Sequence, residues 1–264
     1  MSARAASFAP EFALAVPVLA GLGWMVLAGA PSGYLLGNTA ALALALASAR
    51  WLPMPRSEGA VTALAATLLG LLWLTALFGI EIDGARRWIG LGPLRLHTGY
   101  LVLPLLVACA DRLSSRAAAL IVTAAAVATV VQPDRATCFA ISATACTIAL
   151  RRRDWPSVGA LMASLVCAAA VLRIPDHLLS VEFVEAVQTD ALAARPAIGL
   201  ALVLATIAPA ALLIGRNWSA LPVASFVVVA GLCALAGPYP SILIGYGAAP
   251  ILGFGLALAA LRAK

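Results

Sequence analysis

Two short stretches of this 264-residue chain carry most of the groups able to do chemistry. The first is Asp83-Gly84-Ala85-Arg86-Arg87-Trp88-Ile89-Gly90-Leu91-Gly92-Pro93, where two guanidinium groups stand beside an indole. Arginine presents a rigid fork that matches phosphate oxygens in bidentate fashion, and Trp88 with Ile89 and Leu91 suits the headgroup level of a bilayer. The same residues also make a plain interfacial anchor that binds nothing. The second stretch is Val131-Gln132-Pro133-Asp134-Arg135-Ala136-Thr137. A carboxylate between apolar runs is costly unless paired, so Asp134 either pairs with Arg135, Arg86 or Arg87, or caps the helix that follows it. Arg86, Arg87, Trp88, Gln132 and Asp134 are therefore the candidate substrate- or phosphate-binding residues.

A third cluster, between Ile174 and Pro196, offers Asp176, Glu182, Glu185 and Asp190. Asp176, Glu182 or Glu185 can act as a general base toward a hydroxyl, helped by His177, and a merely solvated acidic loop reads the same way. The two histidines, His97 and His177, have no neighbouring ligand pattern, so no metal is expected. Cys109, Cys138, Cys146, Cys167 and Cys233 all lie inside apolar runs and read as small packing residues. No phosphate-binding loop, dinucleotide signature, haem ligand pair or nucleophile elbow occurs, so no soluble cofactor is expected.

The elements that must hold these residues are set by composition. With 63% hydrophobic and 11% charged residues and a mean hydropathy of +1.03, the chain has too little polar surface to cover a soluble globule. Lipid must solvate it. The formal charge of +6 is scattered between apolar runs rather than gathered on one face, which excludes a nucleic-acid surface. The sequence predicts one membrane domain over 1–264, all-α and polytopic, with about ten transmembrane helices. The expected spans are Phe12 to Ala30, Tyr34 to Ala49, Ala60 to Ile80, Thr98 to Ala110, Ala117 to Val131, Ala136 to Leu150, Val158 to Leu172, Ala197 to Gly215, Leu221 to Ala236 and Ile242 to Leu261. Pro31, where a peptidase would have to cut, argues against reading the first span as a signal peptide.

Arginine placement selects the topology. Ten crossings with cytoplasmic N- and C-termini put Arg4, Arg50, Arg56, Arg112, Arg116, Arg151, Arg152, Arg153, Arg216, Arg262 and Lys264 inside, eleven of the seventeen basic residues. A re-entrant fourth segment reverses that bias. The connections Glu81 to His97 and Ile174 to Pro196 then lie outside, with the chemistry-bearing stretches.

Those two stretches, in their order and separation, resemble signatures of the SEDS family (shape, elongation, division and sporulation; the FtsW, RodA and SpoVE group). The first is similar to its GxxRWI-x-LG pattern after the third span, the second to its QPD-L-G-T pattern between the fifth and sixth. The resemblance is strongest over 60–150, and ten spans with both ends inside is also the family's plan. It implies a bacterial cytoplasmic-membrane protein of peptidoglycan biogenesis, with a role in cell shape or division. It also implies that the ligand is a lipid-linked glycan precursor such as lipid II, or that the partner is a penicillin-binding-protein-like polymerase. A divalent cation can accompany the pyrophosphate of such a precursor, although no residue pattern indicates one.

The departures are specific. Where the family has Q-P-S-E-x-x-K at the fourth span, this chain reads His97-Thr98-Gly99-Tyr100-Leu101-Val102-Leu103, so tyrosine replaces the Glu and leucine the Lys. The QPD stretch continues Arg135-Ala136-Thr137. The outer loop that holds the family's catalytic aspartate is reduced to Ile174 to Pro196. Reduced or absent polymerase activity follows. An active peptidoglycan glycosyltransferase is the alternative, and a small-solute transporter or lipid flippase a second; the latter lacks any charge at mid-depth of a span.

Overall fold

In lipid every backbone N–H and C=O must be satisfied within the protein, so long apolar runs close their own hydrogen bonds as helices. The computed structural model describes residues 9–92, 94–215 and 218–263; Arg4, Pro93, Arg216 and Lys264, which the sequence reading used, lie outside the described residues. Among the described residues, ten helices of at least thirteen residues correspond one to one with the ten expected spans. They are α1 (Ala9–Leu27), α2 (Ser32–Trp51), α3 (Glu58–Phe78), α4 (Thr98–Ala110), α5 (Ser115–Val131), α6 (Arg135–Arg152), α7 (Trp155–Val171), α9 (Pro196–Ile214), α10 (Leu221–Cys233) and α11 (Ala248–Arg262), with a short α8 (Val187–Ala194) before α9. Ser57, Ser114, Asp134 and Asp154 cap α3, α5, α6 and α7 by accepting a backbone N–H, so polar residues at the ends of the runs set the helix starts.

Four helices, α1, α2, α3 and α9, are long and apolar enough to cross a membrane unaided. The shorter ones are short for a reason. Twelve of the thirteen residues of α4 are buried, so this helix meets protein rather than lipid and need not match the hydrocarbon thickness. It packs against α3, α10 and α11, while α6 lies on α10, α5 on α7, and α1 on α9. Large apolar side chains face outward, among them Phe12, Leu44, Phe78, Leu120, Val166 and Leu204, a surface only a bilayer solvates. The chain is an all-α polytopic membrane protein in its spanning part.

The arginines divide between two ends of the bundle. Arg262 donates to the carbonyls of Arg50 and Leu52, Arg112 to that of Arg56, Arg151 to Asp111, and Arg152 to the carbonyls that end α4. At the opposite end Arg87 reaches Asp176 and Arg135 reaches the carbonyl of Ile174.

Two segments differ from the sequence reading. The Glu81 to His97 connection holds a three-stranded antiparallel sheet: β1 (Ile80–Ile82), β2 (Ala85–Leu91) and β3 (Leu94–His97). Asp83 and Gly84 both have positive φ, the two-residue turn that joins twisted strands, and Ile82 pairs with Ala85 across it. The last helix starts at Ala248 rather than Ile242, and α10 ends at Cys233 rather than Ala236. Ser241, Ile242, Leu243 and Ile244 are buried although not helical. Such a segment persists at depth only if its polar groups find partners. They do: the Asn38 amide donates to the Gly245 carbonyl at 3.0 Å and accepts the Gly247 N–H at 3.0 Å, and Tyr246 N–H donates to Phe183 at 2.6 Å.

Candidate functional site

The sheet end of the bundle gathers the candidate residues, and alternation along β2 sorts them. Successive side chains of a strand point to opposite faces, so Arg86 and Arg87 part company. Arg86 is exposed and pairs with Glu81 of its own sheet at 2.7 Å. Arg87 is buried, donating to the carbonyls of Gln132 and Pro133 and pairing with Asp176 at 2.9 Å. A pair of adjacent forks on one phosphate is therefore not formed. Arg87 instead ties β2 to the α5–α6 turn and to the acidic loop.

Gln132 points inward, fully buried, its amide donating to the Leu72 carbonyl at 3.2 Å. Asp134 is 2% exposed, and its Oδ1 caps α6 by accepting the Thr137 N–H at 3.2 Å. Capping is thus the arrangement adopted. The other carboxylate oxygen faces His97 Nε2 at 3.4 Å instead of joining any of the three arginines considered for it. His97 Nδ1 accepts the N–H of Tyr100 at 3.4 Å and so caps α4, which leaves the proton on Nε2, the ring nitrogen nearer Asp134. Burial lowers the imidazole pKa to about 4, against the upward pull of Asp134, so His97 is neutral at physiological pH. The contact is then that of a neutral imidazole with a carboxylate.

Trp88 sits opposite His97 in the β2–β3 register, its ring edge-on at 5.7 Å, and Tyr100 stacks on the other side at 4.3 Å. Trp88, Arg95, His97 and Tyr100 form one wall of a cavity of about 190 Å³. The opposite wall is Glu185 with the non-helical stretch through Tyr246 and Gly247. Tyr246 is backed by Tyr34, the two rings parallel at 3.8 Å.

The three candidate bases have separate fates. Asp176 is engaged with Arg87, and Glu182 is exposed. Glu185 lines the cavity, accepts the Val181 N–H at 2.7 Å, and burial raises its carboxyl pKa above the usual range. His177 is exposed and apart from His97, and no cluster of His, Cys, Asp or Glu able to hold a metal occurs among the described residues. His97, Tyr100, Arg95 and Tyr246 are not singled out as site residues by the sequence; the Gly92-Pro93 dipeptide between Leu91 and Leu94 is the available signal that His97 pairs with Trp88.

No family model and no curated relative matches the chain. Among solved structures it is similar to the crystal structure of the rod shape determining protein RodA of Thermus thermophilus, with a TM-score of 0.64 at 22% identity, covering 97% of this chain and 96% of that one. A point variant of the same RodA aligns with a TM-score of 0.63 at 22% identity, over 97% of each chain. At that identity the likeness shows the fold, and it runs from end to end.

Proposed function

We propose that the chain is a SEDS-like membrane protein of bacterial envelope biogenesis. Its sheet end receives a lipid-linked glycan precursor, or a penicillin-binding-protein-like polymerase engaged on one, and the chain does not itself extend glycan strands. Both termini and the arginine-rich end face the cytoplasm, and the cavity opens to the outer surface of the cytoplasmic membrane. No soluble cofactor and no nucleic acid takes part.

One observation supports the reading above the rest. The helix order overlaps a rod shape determining protein end to end, while Tyr100 and Leu103, both buried, stand where the family's intramembrane Glu and Lys are expected. A buried tyrosine and leucine cannot supply that charge pair. The binding side of the family's work is retained in form, and the catalytic side is depleted.

The test is purified protein in liposomes supplied with lipid II, alone and with a partner transpeptidase. The expected result is no glycan strands from the chain alone; strands formed by it would overturn the proposal. A second reading, an active glycosyltransferase with Glu185 as general base, draws on the half-buried position of that carboxyl in the cavity and its raised pKa. It requires strand formation in the same assay and its loss in Glu185→Gln.

A further inference from the structure

At the arginine-rich end, away from the sheet, the end of α6 meets the start of α10 across an open groove of about 590 Å³. One side carries Leu150, Arg151 and Arg153; the other carries Trp218, in the short 3-10 turn Trp218–Ala220, and Leu221. Arg153 ends α6 in the left-handed region, with φ of 53°, a place more often given to glycine. Its Nε donates to the Leu150 carbonyl at 3.4 Å, which anchors the base of the guanidinium and leaves both terminal nitrogens without an acceptor among the described residues. Arg151 turns one terminal nitrogen to Asp111 at 2.6 Å. No carboxylate lines the groove.

The walls and their depth select the ligand's chemistry. Two guanidinium groups without a lining carboxylate favour an anion, and a fork held at its base is suited to phosphate oxygens. A free anion would leave Leu150, which is 65% exposed, and Leu221 unused. Trp51, Trp155 and Trp218 are all exposed at this end of the bundle, the distribution that marks the headgroup level of a bilayer. A phosphodiester with acyl chains below it meets every wall of the groove, and basic pockets between membrane helices are a recurrent setting for such headgroups. The comparable groove beside Leu52, Met54 and Arg56 lacks this fork, because the Arg262 guanidinium there is taken up by the carbonyls of Arg50 and Leu52.

We propose that the groove between the end of α6 and the start of α10 binds the headgroup of an anionic phospholipid, with the Arg153 fork on the phosphate, Arg151 beside it, Trp218 at the glycerol level and the acyl chains running over Leu150 and Leu221. The lipid then bridges two helices that pack on one another along their length. This inference stands apart from the proposed function, since it needs only a bilayer around the chain.

The probe is phosphatidylglycerol, titrated into the full chain in a neutral detergent micelle and counted by native mass spectrometry, with phosphatidylcholine of the same acyl chains as comparator. Retention of one phosphatidylglycerol is expected, with an affinity about fivefold or more above that of phosphatidylcholine and undiminished by inorganic phosphate. Arg153→Gln should remove about that factor, the contribution of one arginine at an anionic headgroup, and Trp218→Leu should also weaken retention. Both side chains are exposed, so neither change empties the core. Arg116→Gln, an equal loss of charge at an exposed position of the same end but outside the groove, should leave retention unchanged. Equal affinity for the two lipids would overturn the site, as would displacement by inorganic phosphate, which would make the ligand a free anion. An equal loss in Arg116→Gln would reduce the effect to diffuse attraction and overturn it too.

Discussion

At the scale of single residues, Arg87 and His97 hold the sheet end together, and each makes a measurable demand. Arg87 is 5% exposed and serves two carbonyls and the Asp176 carboxylate. Arg87→Ala strands a partly buried carboxylate and two acceptors, a loss of about 3 kcal/mol, visible as a lowered melting temperature in detergent. Arg86→Ala, at an exposed pair, should cost less than about 1 kcal/mol in the same measurement. His97 sets a pH dependence whose sign follows from its lowered pKa. Below about 6.5 the unfolded chain takes up a proton that the folded imidazole refuses until about 4, so stability falls as pH drops through that window. Above 6.5 it contributes no slope. His97→Gln should flatten the melting temperature between pH 6.5 and 4; an unchanged slope would show that another group titrates there.

At the scale of elements, the spans were legible because length and apolarity alone specify a membrane helix, and Thr98 to Ala110 was placed to the residue. The sheet was less so. Asp83-Gly84 and the alternation in Ile80-Glu81-Ile82 signal a hairpin, but taking Arg86 and Arg87 together as phosphate-binding forks makes partners of neighbours that a strand turns apart. The non-helical stretch before α11 was illegible for a different reason. Ile242, Leu243 and Ile244 read as the start of an apolar helix, and the backbone that follows them is hydrogen-bonded instead to Asn38, more than two hundred residues away. The pairing of His97 with Asp134 and the approach of Glu185 to Tyr100 likewise depend on tertiary packing that no local pattern records. Helix α11 fits against α4 only through Gly253, where a Cβ would overlap the Tyr100 and Leu101 carbonyls. Gly253→Ala should therefore force α11 away from α4 and lower the melting temperature by several degrees, whereas Gly159→Ala in α7, which meets open space, should leave it unchanged or raise it.

At the scale of the whole molecule, the two ends are chemically unlike. One carries Arg50, Arg56, Arg112, Arg116, Arg151, Arg152, Arg153 and Arg262, and the other carries the sheet, the acidic loop and the cavity. In the proposed topology the positive-inside bias orients the cavity outward, where a lipid-linked sugar would be met after export. The proposed function depends on that orientation more than on any one residue, because a cavity facing the cytoplasm would meet a different pool of ligands. The direct measurement is labelling of single cysteines by a membrane-impermeant maleimide in intact cells. Asp83→Cys in the β1–β2 turn and Glu182→Cys in the acidic loop, both exposed, should be labelled without permeabilisation, and Arg116→Cys only after it. Labelling of Arg116→Cys in intact cells, with Asp83→Cys and Glu182→Cys protected or on opposite sides, would contradict the account.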